Sequence, residues 1–469
     1  MNRRIFVKTL GAAGASLLVT NEIGKSISLA AQRSRPNILF IITDQQATDA
    51  MSWKIGGKYI NTPAMDELAS HSTIFSLAFA ANPLCCPCRS SLFTGFYPHQ
   101  TKIETNQDEQ NYISDRFQNM GAIFRDAGYD TGYTGKWHMA FDVKDTAVHG
   151  FNFMQSIKSN GIDPEIPASA REFFKIKRDK PFLLVTSFVD PHNICEWARG
   201  GKLPDGEVGN PPPLEDCPPD LPNELPMTGE PDIIADMKKA YQRNRLFPVG
   251  GFTDDKWRQY RWAYFRMIEK VDSLIGEVLF SLKETGNYEN TVIVFTSDHG
   301  DMQGAHGWNQ KTVLFEESVR IPLMISEPGK RKKVIDHSLV NTGIDIMPTL
   351  CDYAGISLPD NYPGLGLRRN KISSRKYVVT ENKMNQGEPV DGVKLVPSGR
   401  MVRSKRYKYC IYDIGARNES FVDLEKDPGE TINLIDNAGY KKIADEHRKY
   451  LAGWCKENND DYLNTLSTK

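Results

Sequence analysis

Three stretches of the chain are apolar without alternation and then turn polar. "NILFIITDQQ" runs apolar from Ile38 to Ile42 and ends in Thr43, Asp44 and Gln45. "KPFLLVTSFVDPH" (180–192) ends in Asp190 and His192, and "NTVIVFTSDHGD" (290–301) ends in Asp298 and His299. Continuous apolar runs of this length predict strands of a parallel sheet buried on both faces. Ligands of open α/β sheets bind beyond the carboxyl ends of the strands. Three strands therefore bring carboxylates and imidazoles to one edge.

Helical periodicity fills the intervals. "TPAMDELASHS" (62–72) starts on Thr62-Pro63, a favoured helix entry. In residues 254–286, Tyr260, Tyr264, Met267, Ile268, Val271, Leu274, Ile275 and Val278 recur at three and four, and Gly286 closes the helix. Residues 200–231 are rich in Pro and Gly, without period, and read as a long wall of a site or a surface insertion. Near residue 360 the character changes. "SRKYVVTEN", "GRMVRSKRYKYCIYD" and "ESFVDLEKD" predict short antiparallel strands, and "GYKKIADEHRKYLAGWCKENN" a closing helix. The pattern as a whole is α/β, with a catalytic domain over 32–365 and a smaller α+β subdomain over 366–469.

Composition narrows the possibilities. The chain of 469 residues is 40% hydrophobic and 25% charged with a net charge of −1. That excludes a bulk basic footprint for nucleic acid. Residues 1–31 hold Arg3, Arg4 and Lys8 ahead of an apolar stretch, with small residues leading to a cleavage near Ala31. This reads as a twin-arginine signal, which makes the export machinery a partner and the periplasm, or another exported location, the destination. The stretch falls short of the ~20 apolar residues that a stable membrane span needs. Those residues carry Lys and Arg at 3, 4, 8 and 25 against Glu22, a net of +3, so the mature chain stands at −4. Eight cysteines at irregular spacings in a chain of this size predict few disulfides.

Asp44 and Asp298 end buried strands, where an unpaired charge is costly. Each acid alone is more simply a cap or a turn; together, on separate strands, they call for a cation. Gln45 offers an amide oxygen and His299 a nitrogen. Ca²⁺ suits the oxygens, and the imidazole leaves the metal's identity open. "NPLCCPCRSSLFTG" (82–95) crowds Cys85, Cys86 and Cys88 around Pro87, with Arg89 behind. Zinc would want a second cysteine pair, which the sequence lacks. A redox C-x-x-C is open, as is a nucleophile at the N-terminus of a helix that starts near Pro87.

This stretch resembles the signature of type I sulfatases, Cys-x-Pro-x-Arg followed by Thr-Gly. Only Cys85 keeps the register, with Pro87, Arg89 and Thr94-Gly95 downstream. The resemblance implies an alkaline phosphatase-like fold, a large mixed, mostly parallel sheet sandwiched by helices. It also implies that Cys85 is oxidised to formylglycine by a maturation enzyme and contributes to the metal site. "PNILFIITDQQ" is similar to the family's first metal strand and implies Asp44 as a ligand. Gln45 stands where an acid is often found. "TGYTGKWHMA" implies Lys136 and His138 beside sulfate and leaving group, and "FVDPHN" implies His192. "TSDHGDMQGAHG" implies Asp298 and His299 as metal ligands, and "NQKTVLFEES" implies Lys311 as a sulfate-binding cation.

The implied reaction is hydrolysis of a sulfate ester on a glycosaminoglycan or other polysaccharide fragment. Arg89, Lys136, His138, His192, Lys311 and the metal form a convergent positive set that suits the charge on the sulfate oxygens. In this mechanism one hydroxyl of the hydrated residue attacks sulfur, a cation or imidazole protonates the leaving oxygen, and the second hydroxyl expels sulfate. Beside His192, Trp197 is placed to stack on a sugar and Arg199 to pair with a carboxylate or a second sulfate, or both are ordinary loop residues. A phosphonate or phosphodiester hydrolase on the same fold is the first alternative. A sulfated-glycan-binding protein without turnover is the second.

Overall fold

The computed structural model describes residues 35–368 and 370–466. The signal assigned to residues 1–31 lies outside them. Twelve strands form two sheets: β1 (Asn37–Asp44), β2 (Thr73–Phe79), β3 (Asp130–Gly135), β4 (Phe153–Gln155), β5 (Phe182–Pro191), β6 (Thr291–Ser297), β7 (Leu323–Ser326), β8 (Val334–Asn341), β9 (Val378–Lys383), β10 (Ser398–Arg403), β11 (Tyr407–Tyr412) and β12 (Glu419–Asp423). The large sheet has the order β4-β3-β5-β1-β6-β7-β2-β8. Every neighbour in it pairs in parallel except β7, which runs antiparallel to β6 and β2. This is the expected mixed, mostly parallel α/β sheet.

The seven helices that matter here are α1 (Pro63–Ser70), α2 (Cys85–Thr94), α3 (Ile166–Lys175), α4 (Asp232–Arg243), α5 (Asp254–Glu284), α6 (Thr342–Ala354) and α7 (Lys441–Asn458). All eight residues of β1 are buried because both faces of the sheet are covered. Leu39 and Ile41 point into one core, with Phe173 of α3 and Tyr260, Tyr264, Ile268 and Ile275 of α5. Ile38, Phe40 and Ile42 point into the other, with Leu92 and Phe93 of α2 and Ile346 and Leu350 of α6. The period-two alternation of the strand thus distributes one apolar run between two layers.

The small sheet is antiparallel, in the order β12-β11-β10-β9. One face, through Val379, Val402, Tyr409 and Phe421, packs under Leu451 and Trp454 of α7. The other face, through Val378, Met401, Tyr412 and Val422, packs on Met237 and Tyr241 of α4 and on Val313 and Phe315. The small sheet is thereby laid against the segment around residue 311. Among the described residues no helix is long and apolar enough to cross a membrane.

Candidate active site

Strands β5, β1 and β6 are adjacent at the centre of the sheet, in register from Ile38 opposite Leu183 and Val292. Their carboxyl ends therefore arrive together and place Asp44, His192 and Asp298 at one point. Helix α2 enters this point with its N-terminus. Leu84 is extended and caps it, Cys85 is its first residue, and the Cys86 amide donates to Asn106 Oδ1 at 3.1 Å. All ten residues of α2 are buried, and Gly95 ends it in the left-handed conformation (φ 81°). The Thr-Gly of the motif is thus a helix stop against Tyr362, whose ring would lie 3.0 Å from a Cβ at position 95.

Cys85 Sγ lies 3.1 Å from His299 Nε2 and 3.8 Å from Asp44 Oδ1. Burial alone would raise its thiol, but Lys311, Lys136 and His299 pull it well below the usual value. Its neighbours behave oppositely: burial raises both Cys86 and Cys88. Cys88 donates to the Asp298 carbonyl at 2.8 Å. All eight cysteines are free and buried.

Arg89 departs from the expected role. It is fully buried, its Nε bonds Asp298 Oδ2 at 2.8 Å and its Nη2 bonds Asp44 Oδ2 at 3.2 Å. Its Nη1 donates to Ser187 Oγ (2.7 Å) and to the Lys136 carbonyl (3.2 Å). Four of the five N–H donors of the guanidinium are thus taken by protein groups, two of them holding the carboxylates at a fixed spacing. Lys136 Nζ contacts Asp44 Oδ2 at 2.6 Å. Burial and Cys85 raise Asp44, yet Lys136, His192 and Arg89 hold it well below the carboxylate range. Lys136 is aimed by the turn at Gly135 (φ 104°), where a Cβ would stand 1.9 Å from the Ser187 carbonyl and only glycine fits.

Asp44 Oδ1, Asp298 Oδ1 and His299 Nε2 face one another, with His299 Nε2 3.8 Å and 3.6 Å from the two oxygens. Together with Cys85 they form a buried cluster able to hold an ion. Ligands of calcium stand about 2.3–2.6 Å from the ion, so neighbouring ligand atoms lie roughly 3.3–3.7 Å apart, close to the two spacings seen at His299. His299 Nδ1 lies 3.0 Å from the Gly300 carbonyl. Donation there leaves the Nε2 lone pair directed at the cluster. Gln45 is not brought into the cluster. Its Oε1 accepts from Lys311 Nζ, and its Nε2 donates to Asp301 Oδ2 at 2.6 Å. Asp301, absent from the sequence reading, is fully buried and anchors that amide together with the Tyr260 hydroxyl.

His192 is partly buried, and its imidazole contacts Cys85; desolvation of the ring, Lys311 and Lys136 together push it down to about 3, so it is neutral at pH 7. His138, with φ 45°, also reaches Cys85 and stands 3.9 Å from Glu109 at the mouth. Lys311 is buried, in a loop where Gln310 and Thr312 both have positive φ. Two further expectations change. Trp197 is half-buried between the Tyr260 ring (6.1 Å) and Lys256 (4.3 Å), and Arg199 is engaged by Glu196 (2.5 Å) and the Leu246 carbonyl. Their own neighbours already occupy the groups that were expected to meet substrate. His306 stacks on Phe315 at 3.9 Å as part of the packing.

The sulfatase family model matches residues 36–356, and a model described as "N-sulphoglucosamine sulphohydrolase, C-terminal" matches residues 304–457. The chain is 29% identical over 459 residues to a Δ4,5-hexuronate-2-O-sulfatase of Bacteroides thetaiotaomicron, covering 92% of this chain and 91% of that one. It is 28% identical to an arylsulfatase of Clostridium perfringens, covering 89% and 94%. The solved structure of a 2-O GAG sulfatase superposes with a TM-score of 0.79 at 27% identity, covering 92% of this chain and 94% of that one.

Proposed function

This chain belongs to the sulfatase family of sulfuric ester hydrolases, and we propose that it is an exported enzyme that desulfates glycosaminoglycan-type saccharides with a formylglycine made from Cys85 and one calcium ion. The observation that carries the reading is the meeting of Cys85 with Lys136, His138, His192 and Lys311 beside Asp44, Asp298 and His299. The saccharide class is supported by the hexuronate 2-O-sulfatase and the 2-O GAG sulfatase that the chain resembles over nine-tenths of its length. The signal in residues 1–31 supports export, and the change of pattern near 365 supports a catalytic domain followed by a smaller subdomain.

Oxidised to formylglycine, residue 85 would supply, as its hydrate, an oxygen nucleophile and a second hydroxyl for releasing sulfate. Held by Asp44, Asp298 and His299, the cation would lower the pKa of that hydrate and take up charge from the sulfate oxygens. The protein's own groups do the rest. Arg89 fixes the distance between the two carboxylates. Lys136 and Lys311 present two ammonium groups to a sulfate that carries one negative charge. Desolvation first, and then the same two lysines, keep His192 neutral. The ammonium and imidazole groups of Lys136, His138 and His192 are the donors that stand close enough to residue 85 to protonate the leaving oxygen.

The test is the mass of the peptide containing residue 85, from protein purified from its native host, followed by sulfate release from unsaturated and saturated sulfated disaccharides. An aldehyde at residue 85 and turnover of a sulfated uronate are expected. An intact thiol in active enzyme ends the formylglycine reading. Turnover of aryl phosphonates in preference to every sulfate ester ends the substrate reading. Fractionation of the host checks export.

A further inference from the structure

Resting on the reading of Lys311 as a sulfate-binding cation, we propose that Asn382 of β9 is a positioning residue. It holds Lys311 in the active site by clamping the backbone of Thr312. Thr312 is β-branched and sits at φ 83°, a region such residues avoid; Gln310, on the other side of Lys311, is at φ 62°. Left to itself the loop would relax to negative φ and carry the lysine with it. The Gln310 carbonyl accepts from the Met302 amide at 2.7 Å and the Thr312 hydroxyl bonds Tyr241 at 3.2 Å, but the Thr312 backbone itself is held by two hydrogen bonds. The Thr312 amide donates to the Pro83 carbonyl at 3.0 Å, and the Thr312 carbonyl accepts from Asn382 Nδ2 at 2.7 Å.

The same strand grips the approach to Cys85. Thr380 Oγ1 donates to the Ala80 carbonyl at 2.7 Å, and the Glu381 amide to the Ala81 carbonyl at 2.9 Å. One strand of the C-terminal subdomain therefore sets the spacing between the run-in to residue 85 and the loop of Lys311. Those two groups must stand on either side of one sulfate. Asn382 is itself buried and fixed. It pairs in register with Gly399, and a Cβ at 399 would lie 2.6 Å from Asn382 Oδ1. The glycine leaves the room that this rotamer needs.

The experiment compares kcat/KM on 4-nitrophenyl sulfate for the full-length enzyme and its variants, with conversion of residue 85 measured by mass in each. Asn382→Ala and Asn382→Asp, which both lose the donor, are expected to lower kcat/KM about 10–100-fold through misplacement of Lys311. Adding Thr312→Gly to Asn382→Ala is expected to recover most of the loss, because glycine adopts positive φ without a clamp. A merely structural hydrogen bond would give no such rescue. Asn382→Ala within twofold of wild type, or a folded Asn382→Ala variant that Thr312→Gly fails to improve, overturns the proposal. Should Asn382→Ala not fold, Gly399→Ala displaces the same side chain and is expected to show the same loss and rescue. Lys311→Ala with full activity would instead overturn the role of Lys311 on which the clamp rests.

Discussion

Five residues along the chain separate two buried charge clusters of opposite character. Around Lys311, three cations (Arg89, Lys136 and Lys311) meet two carboxylates, Asp44 and Asp298, with Cys85 and His299 between them. Around Glu316, the ions pair off. Arg403 Nε meets Glu316 at 3.1 Å, and Lys408 Nζ meets Glu430 at 2.6 Å. The second cluster joins the small sheet to the body and closes on itself. The first brings three cations, two carboxylates and a thiol held well below its usual value together, with a set of ligand atoms facing inward. A buried network of side-chain pairs is a fastener; one whose ligand atoms converge on a point is built for a guest.

The largest effect expected from this contrast is at Cys85. Cys85→Ala should reduce sulfate release by at least about a thousandfold, with an unchanged circular-dichroism spectrum. A chelator should abolish turnover, and calcium should restore it more fully than magnesium if the oxygen-rich cluster selects the larger ion. Lys311→Met should cost about a hundredfold or more in kcat/KM while leaving the thermal midpoint close to that of the wild type. Lys408→Met should do the reverse. It leaves Glu430 buried without its cation, so that the carboxyl must take up a proton, and should lower the denaturant midpoint, the more so above pH 7, while the folded enzyme keeps its kcat. If both lysine variants lose activity and stability alike, the two clusters are not distinct in kind.

The smallest effect is a pH slope. Burial lifts Glu430 to about 7, Glu316 and Glu317 add to the rise, and Lys408 opposes it. The folded state therefore holds a proton that the unfolded chain loses near 4.5. Stability from this group is full below 4.5 and is lost as pH rises to about 7. Unfolding midpoints measured across that window should fall in the wild type, and Glu430→Gln should remove this part of the slope.

The two clusters were unequally legible from the sequence. The centre of the sheet could be read because β1, β5 and β6 are unbroken apolar runs whose polar ends fall together. The outer strands could not. β7 has four residues, and β8 is exposed over its first half, so neither shows the period of a buried strand. Helix α6 was missed because Pro348 lies inside it. The motif residues were found, but their orientation was not. Whether Arg89 faces substrate or carboxylate, and whether Gln45 turns to an ion or to Lys311, depends on partners more than a hundred residues away. Glu316, Lys408 and Asn382 carry no local signal at all, since an isolated Glu, Lys or Asn reads as a surface residue until the fold buries it.

Helix α2 has a consequence for how the enzyme is made. Cys85 is 1% exposed, and every residue of its helix is packed in. On the proposed formylglycine mechanism, a maturation enzyme would have to draw the cysteine and its neighbours into its own cleft, which the finished helix does not allow. Oxidation and folding would then be competitors in a race on the nascent chain, and a molecule that folded first would be sealed as an inactive thiol. The specific activity of a preparation then reports who won that race, and conditions that slow folding should raise the yield of working enzyme.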